Sequence, residues 1–157
     1  MSKMKLVMVG NGMAGVRTLE ELIKLDPDLF DITVFGSEVH PNYNRILLSP
    51  VLAGEQTLDE IILNPLSWYQ ENGIQLHTGC TVTQVDRIKR EVHATGPHGI
   101  TVVKPYDRLL LATGSNPFIL PIPGKDLKGV LAYRDIADTQ AMIDAATQYK
   151  HAVVIGG

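Results

Sequence analysis

The chain has 157 residues, 45% of them hydrophobic, and a formal net charge of −3 at pH 7. This length favours a single domain with a substantial core. The small negative charge and the scattered basic residues argue against a nucleic-acid partner and against an anionic membrane surface, because both are recognised through basic patches. The sequence has no apolar run of transmembrane length and no signal-peptide pattern, so it predicts a cytoplasmic protein.

The first part of the chain predicts a β-α-β unit. Lys5–Gly10 is a short apolar run typical of a buried parallel strand, and Met13–Leu25 has apolar residues at helical spacing. Asp26-Pro27 ends this helix, and Ile32–Phe35 is a second apolar run. A strand, a helix and a strand within about thirty residues predict two parallel strands joined by a right-handed crossover.

The middle of the chain predicts irregular structure followed by small strands. Short helical pieces are expected around Asn44–Ala53. The pair Asn64-Pro65 predicts an N-cap followed by proline at the first helical position, and so a helix over Pro65–Asn72 that stops at Gly73. Four further runs predict a small antiparallel meander: Ile74–His77, Thr81–Asp86, Glu91–Ala94 and Ile100–Val103.

The last third predicts a strand, a linker, a helix and a final strand. Asp107–Ala112 is a buried-strand pattern, Ser115–Gly129 is a proline-rich linker, and Ile136–Gln148 has the pattern of a helix. The apolar run Ala152–Gly157 ends on two glycines, which is typical of the start of a second dinucleotide-binding unit. A chain that stops there is expected to be a piece of a longer protein.

A G-x-G-x-x-G motif, Gly10-Asn11-Gly12-Met13-Ala14-Gly15, joins the first strand to the first helix. Gly10 allows the tight turn, Gly12 lets the backbone approach a pyrophosphate, and Gly15 lets the helix pack closely on the strand. Free N–H groups at the start of the helix would bind the phosphates. This context predicts a dinucleotide site, and a purely structural glycine-rich turn is the alternative.

An acidic residue near the end of the second strand is expected to bind the ribose hydroxyls. Glu38 follows Gly15 by 23 residues, close to the spacing of about 20 that such sites use. Ser37 lies beside it in the sequence. A solvated loop glutamate is the alternative interpretation.

Three ordered signatures resemble the two-dinucleotide flavoprotein family, which includes glutathione reductase-like enzymes, ferredoxin reductases and rubredoxin reductases. They are the glycine motif, the strand Leu109–Ala112 followed by Thr113-Gly114-Ser115, and the run Val153–Gly157. The resemblance covers essentially the whole chain and implies an α/β, Rossmann-like FAD-binding domain with a central parallel sheet and a small antiparallel meander, truncated at the start of a second dinucleotide-binding unit. It implies a FAD domain over 1–114, a linker and helix over 115–150, and the first strand of an NAD(P)-binding domain over 151–157.

The resemblance also implies which residues bind FAD, since the first glycine motif of this family binds FAD and a later one binds NAD(P)H. Thr81-Val82 holds the position where a backbone meets the adenine ring, and Arg45 and Ser49 fall in the loop that flanks the flavin. The implied cofactor-binding residues are Gly10, Gly12, Met13, Ala14, Gly15, Ser37, Glu38, Arg45, Ser49, Thr81, Val82, Ala112, Thr113 and Gly114. The sequence indicates no catalytic acid or base and no metal ligand.

Cys80 is the one cysteine of the chain. Disulphide reductases of this family carry a redox cysteine or a pair after the second strand, where this chain has Asn42–Ser49. Thiol–disulphide chemistry at the flavin is therefore not expected, and Cys80 is predicted to be a small core residue. Electrons that enter from NAD(P)H are expected to leave to another acceptor.

A narrower resemblance is to the large subunit of NAD(P)H-dependent nitrite reductase, carried by Phe35–Glu38, Asn42–Ser49, and Ser67–Tyr69 before Asn72–Ile74. In that family FAD passes electrons to an iron–sulphur cluster and sirohaem in C-terminal domains, which reduce nitrite to ammonia. The resemblance implies an oxidoreductase whose first 157 residues are inactive alone and retain FAD weakly, because a later segment completes the FAD domain. A small subunit or a second copy is an implied partner.

Other functions stay open at this point. A ferredoxin or rubredoxin reductase would use the same signatures with another acceptor. An NAD-binding dehydrogenase would use the first motif for the nicotinamide cofactor, and a non-catalytic module would sense nucleotide. Flavin colour would argue against the NAD-binding dehydrogenase, and a downstream four-cysteine set would favour nitrite reductase over the other reductases. The sequence does not distinguish NADH from NADPH as the electron donor.

Overall fold

The computed structural model describes residues 3–156, which fall into two compact units. The first unit comprises the residues up to Tyr43 together with Ile62–Gly114, and the second comprises Asn44–Ile61 with the residues from Ser115 onward. Asn44–Ile61 thus belongs to a different compact unit from the rest of the predicted FAD domain over 1–114. The assignment of functional domains stays a prediction. No helix in residues 3–156 combines the length and the apolar character needed to cross a membrane.

The secondary structure can be given in chain order. The strands are β1 (Met4–Val9), β2 (Phe30–Phe35), β3 (Asn42–Tyr43), β4 (Ile62–Asn64), β5 (Gln75–His77), β6 (Thr81–Asp86), β7 (Glu91–Thr95), β8 (Thr101–Pro105) and β9 (Arg108–Leu111). The α-helices are α1 (Met13–Leu25), α2 (Leu48–Leu52), α3 (Leu66–Glu71) and α4 (Ile136–Gln148), and 3-10 turns form at Arg45–Leu47, Asp59–Ile61 and Pro97–Gly99.

A four-stranded parallel sheet of order β5-β2-β1-β9 is the centre of the first unit. The parallel pairing of β1, β2 and β9 agrees with the sequence prediction. The prediction is wrong for β5, which extends the parallel sheet beside β2 instead of joining the meander. The strand β5 is parallel because the helix α3 precedes it, and a helical crossover connects parallel strands.

The two faces of this sheet pack against different layers, because alternate side chains of a strand point to opposite faces. One face packs against α1 and α3 through Leu6, Met8, Val16, Leu19, Ile32, Val34, Tyr69 and Ile74. The other face packs against β6 and β7 through Val7, Val9, Phe35, Cys80, Val92 and Ala94. Cys80 is buried and free, so its predicted place in the core is confirmed.

The strands β6, β7 and β8 form the expected antiparallel meander. The antiparallel pair β3 and β4 was not expected from the sequence. The predicted Asn64 cap is wrong, because Pro65 occupies the N-cap position of α3. Asn64 is buried and its side chain hydrogen-bonds to Asn42 and Glu20 instead.

In the second unit, α2 packs against α4, and the Asp135 side chain caps α4 by accepting a 2.9 Å hydrogen bond from the Asp138 N–H. The helical pieces after Asn44, the helix α4 and the irregular linker agree with the predictions. The predicted strand at 152–157 is wrong over 152–156, and its last residue lies outside the described part. A strand requires a partner for its backbone groups, and nothing in residues 3–156 pairs with this segment.

Candidate functional site

The glycine loop lies at the carboxyl end of β1, between the ends of the two neighbouring strands. The Gly10 N–H donates to the Phe35 carbonyl at 2.8 Å, and the Ala112 N–H donates to the Val9 carbonyl at 2.8 Å. The loop is therefore flanked by the residues that follow β2 and by Ala112, Thr113 and Gly114. Open α/β sheets bind their ligands at this edge.

The three glycines of the motif differ in the space around them. Gly10 has φ +105°, and a Cβ there would overlap the Ala112 carbonyl oxygen. A Cβ at Gly15 would lie 2.9 Å from both the Ala112 Cβ and the Met8 Sδ. A Cβ at Gly12 would have no neighbour within 4 Å. Gly10 and Gly15 thus allow close internal packing, whereas Gly12 leaves open space above the loop.

The amino terminus of α1 has no side-chain cap. Gly12 is the N-cap residue, and the first helical hydrogen bond runs from the Val16 N–H to the Gly12 carbonyl at 3.0 Å. The N–H groups of Met13 and Ala14, in the first turn, have no acceptor within the helix. The first turn contains no acidic residue. This end of α1 is therefore electropositive and suited to an anion.

The chain after β2 runs beside the chain after β5. Three backbone hydrogen bonds of 2.9 Å join these segments, from Gly36 to His77, from Gly79 to Glu38 and from Cys80 to Gly36. They bring Ser37 and Glu38 next to the start of β6, where Thr81 and Val82 lie.

The Glu38 carboxylate is held by a buried tyrosine. Tyr43 donates its hydroxyl to Glu38 Oε2 at 2.6 Å. Glu38 is half-buried and Ser37 is exposed. A carboxylate oriented in this way at the end of β2 can accept hydrogen bonds from a sugar.

Arg45 and Ser49 belong to the second unit, whereas the other predicted site residues belong to the first. Arg45 donates a hydrogen bond of 3.2 Å to the Arg134 carbonyl. The Ser49 Oγ lies 3.0 Å from the Tyr133 hydroxyl. Their assignment to the flavin stays a prediction.

A polar network that sequence reasoning missed connects the glycine loop to α3, β3, β4 and α1. Tyr69 donates to Asn11 at 2.8 Å and accepts from the Asn42 N–H at 3.3 Å. The Asn42 side chain donates to Asn64 at 2.8 Å, and Asn64 donates to Glu20 at 2.9 Å. No sequence pattern relates these residues, since each contact crosses more than twenty positions.

Two residues of this network have shifted pKa values. The hydrogen bond from Asn64 lowers the pKa of Glu20 below its ordinary value of 4.5, and the nearby Arg17 adds to the effect. Burial raises the pKa of Tyr69 above its ordinary value of 10.0. Glu20 is therefore a carboxylate acceptor and Tyr69 a hydroxyl donor at neutral pH.

His77 gives a pH-dependent prediction. Its ring stacks on Phe35 at 5.0 Å and 17°, and its Nε2 is buried with no hydrogen-bond partner in residues 3–156. Burial, helped by the charge of Lys104, lowers the pKa of His77 below its ordinary value of 6.5. The unfolded chain then binds more protons, so the free energy of unfolding falls as the pH drops below about 6.5.

We expect this loss in urea unfolding between pH 7 and pH 5, followed by the fluorescence of Trp68, the one tryptophan. His77→Phe should flatten the dependence in that window, while exchange of the exposed His151 for Gln should leave it unchanged. An equal pH dependence in His77→Phe would contradict the prediction.

Comparison with known proteins adds independent support for the fold. The profile of the family described as pyridine nucleotide-disulphide oxidoreductase matches residues 4–157. The nitrite reductase [NAD(P)H] of Bacillus subtilis is 56% identical over 157 residues, which are 100% of this chain and 19% of that protein. The assimilatory nitrate reductase electron transfer subunit of the same organism is 51% identical over 156 residues, with 99% and 20% covered. The water-forming NADH oxidase from Lactobacillus brevis, solved with NADH, gives a TM-score of 0.83 at 22% identity, with 93% and 33% covered.

These comparisons confirm both resemblances expected from the sequence. The likeness to the oxidase shows the fold alone, and it agrees with a Rossmann-like α/β architecture. The chain spans about a fifth of the length of the two Bacillus subtilis relatives. The family profile covers nearly every residue of the chain, and the chain therefore belongs to the pyridine nucleotide-disulphide oxidoreductase family.

Proposed function

We propose that this chain is the FAD-binding part of an NAD(P)H-dependent nitrite reductase. The observation that carries the proposal is the open glycine loop at the uncapped start of α1, beside the Glu38 carboxylate. The 56% identity to the nitrite reductase of Bacillus subtilis supports the choice of reaction.

The residues of the loop fit the diphosphate of a dinucleotide. Gly12 leaves room for a close approach, and the first turn of α1 is free of acidic side chains. The Asn11 Nδ2 is a buried donor with no acceptor in residues 3–156. Buried donors are almost always satisfied, so an unpaired one beside the loop is consistent with a ligand that supplies acceptor oxygens.

Bound FAD would supply the redox chemistry, in which a hydride is accepted from NAD(P)H and the electrons are passed to the next acceptor. The residues of this chain bind and orient it and do not act as acids or bases. The backbone from Gly12 to Gly15 holds the diphosphate, Glu38 with Ser37 holds the ribose, and Ala112–Gly114 forms the far side of the loop. We assign the adenine to Thr81 and Val82, and the surroundings of the flavin to Arg45 and Ser49.

The later electron path lies in parts of the protein outside these residues. We propose that NAD(P)H binds a second dinucleotide unit, and that an iron–sulphur cluster and sirohaem receive the electrons and reduce nitrite to ammonia. A small subunit or a second copy of the chain completes the assembly, and the enzyme acts in the cytoplasm.

A second candidate is an electron-transfer flavoprotein that passes its electrons to a separate protein. The 51% identity to the assimilatory nitrate reductase electron transfer subunit favours it. Ferredoxin and rubredoxin reductases would be of this kind.

An absorption spectrum of the protein expressed from the complete gene tests the proposal. We expect flavin bands together with sirohaem bands. Flavin bands alone would contradict the nitrite reductase assignment and favour an electron-transfer flavoprotein. A colourless protein would overturn FAD binding and favour an NAD-binding dehydrogenase or a nucleotide-sensing module.

A further inference from the structure

The side chain of Asn11 is held on two sides at the turn of the glycine loop. On one side its Oδ1 accepts the 2.8 Å hydrogen bond from the Tyr69 hydroxyl. On the other side it lies against Gly36, where a Cβ would be 2.9 Å from the Asn11 Cβ. The residue between Gly10 and Gly12 is therefore fixed by its side chain as well as by its backbone.

Tyr69 is built into the core at this point. Its side chain is 1% exposed and packs with Met8 and Val34 in the core cluster between the sheet and α1. Its hydroxyl accepts from the Asn42 N–H while it donates to Asn11. Because Asn42 and Asn64 then lead to Glu20 on α1, the network holds both the loop and the helix that follows it.

The Tyr69 hydroxyl serves the loop as a hydrogen-bond donor to Asn11. A tyrosine hydroxyl is protonated in the neutral range, and burial raises the pKa of Tyr69 further, so the hydroxyl can donate to Asn11 throughout that range. Loss of this donor would free the Asn11 side chain to rotate and the loop backbone to move. A binding loop holds its ligand less firmly when the geometry of its N–H groups is not fixed in advance.

We propose that Tyr69 is a positioning residue for FAD, and that it acts through Asn11 by fixing the glycine loop in its binding geometry. This inference rests on the proposed function, because it assigns the loop to the diphosphate of FAD.

The test uses the protein expressed from the complete gene and measures the rate of FAD release by the rise of flavin fluorescence. Tyr69→Phe keeps the ring and removes the hydroxyl, so the variant is expected to fold. We expect FAD release to become about fivefold faster, the size of one lost hydrogen bond. Tyr106→Phe is the matched control, since Tyr106 packs against the other face of the sheet, and it should leave the release rate unchanged.

A double-mutant cycle separates positioning through Asn11 from a general loss of stability. Asn11→Ala should also speed FAD release, and Tyr69→Phe should add nothing in the Asn11→Ala background. Additive effects, or an unchanged release rate in Tyr69→Phe, would overturn the inference while the proposed function stands. If Tyr69→Phe fails to fold, a release rate in Asn11→Ala equal to that of the unmodified protein overturns it. An unmodified protein without flavin overturns both proposals.

Discussion

Exchange of Gly12 for alanine should weaken FAD binding by about ten- to a hundredfold, which corresponds to roughly 1.5–3 kcal/mol. The added Cβ would stand in the open space above the loop, where it meets no protein atom within 4 Å. It would keep the diphosphate away from the N–H groups at the start of α1. Equilibrium titration with FAD of the apoprotein expressed from the complete gene, followed by flavin fluorescence, measures this effect.

The same substitution should hardly change the stability of the fold. Gly12 has an extended backbone with φ −100° and ψ 179°, which an alanine adopts readily. Thermal unfolding of the apoprotein should therefore be close to that of the unmodified protein. Unchanged FAD affinity in Gly12→Ala would contradict the assignment of the loop to the diphosphate.

Exchange of Gly10 for alanine should destabilise the fold itself, in contrast to Gly12→Ala, which should leave the stability nearly unchanged. The residue has φ +105°, and its Cβ would overlap the Ala112 carbonyl oxygen. A left-handed conformation costs a non-glycine residue about 1–2 kcal/mol, and overpacking adds typically about 1–3 kcal/mol. We expect a total loss of roughly 2–5 kcal/mol in the free energy of unfolding, measured in urea by the fluorescence of Trp68.

Gly73→Ala is the matched control for this loss. Gly73 also has a positive φ of +66°, but a Cβ there would meet nothing within 4 Å. The free energy of unfolding of Gly73→Ala should fall only by the cost of the backbone conformation, about 1–2 kcal/mol. Equal losses in the two variants would show that contact with Ala112 contributes nothing, and that the loop is not packed against the end of β9.

Much of the fold could be predicted from local pattern. The strand β1, the helix α1 and the strand β2 follow from an apolar run, a 3.6-residue period and a second apolar run, each of which carries its own signal. The helix α4 and the meander were predicted for the same reason. The glycine motif also forms the turn that was predicted at the end of β1, because Gly10 and Gly15 stand where a Cβ would be crowded. The assignment of this loop to a cofactor stays a prediction.

Predictions failed where the outcome depended on a partner distant in sequence. Gln75–His77 looks like any short strand, and only its contact with β2 decides that it joins the parallel sheet. Residues 152–156 have a strand pattern, yet they form no strand without a neighbour. Asparagine commonly caps helices, but the side chain of Asn64 forms hydrogen bonds with Asn42 and Glu20 instead.

The sequence by itself determined the β-α-β unit, the glycine loop, the acidic residue after β2 and the family resemblance. These depend on residues near one another in the chain, where spacing translates directly into geometry. Only the tertiary structure decided that Tyr43 holds Glu38 and that Tyr69 holds Asn11. The second of these contacts joins residues 58 positions apart, and it forms only once α3 has packed against the sheet. The first joins residues five positions apart, but they lie where the chain between β2 and β3 is irregular, so no periodicity relates their spacing to their geometry.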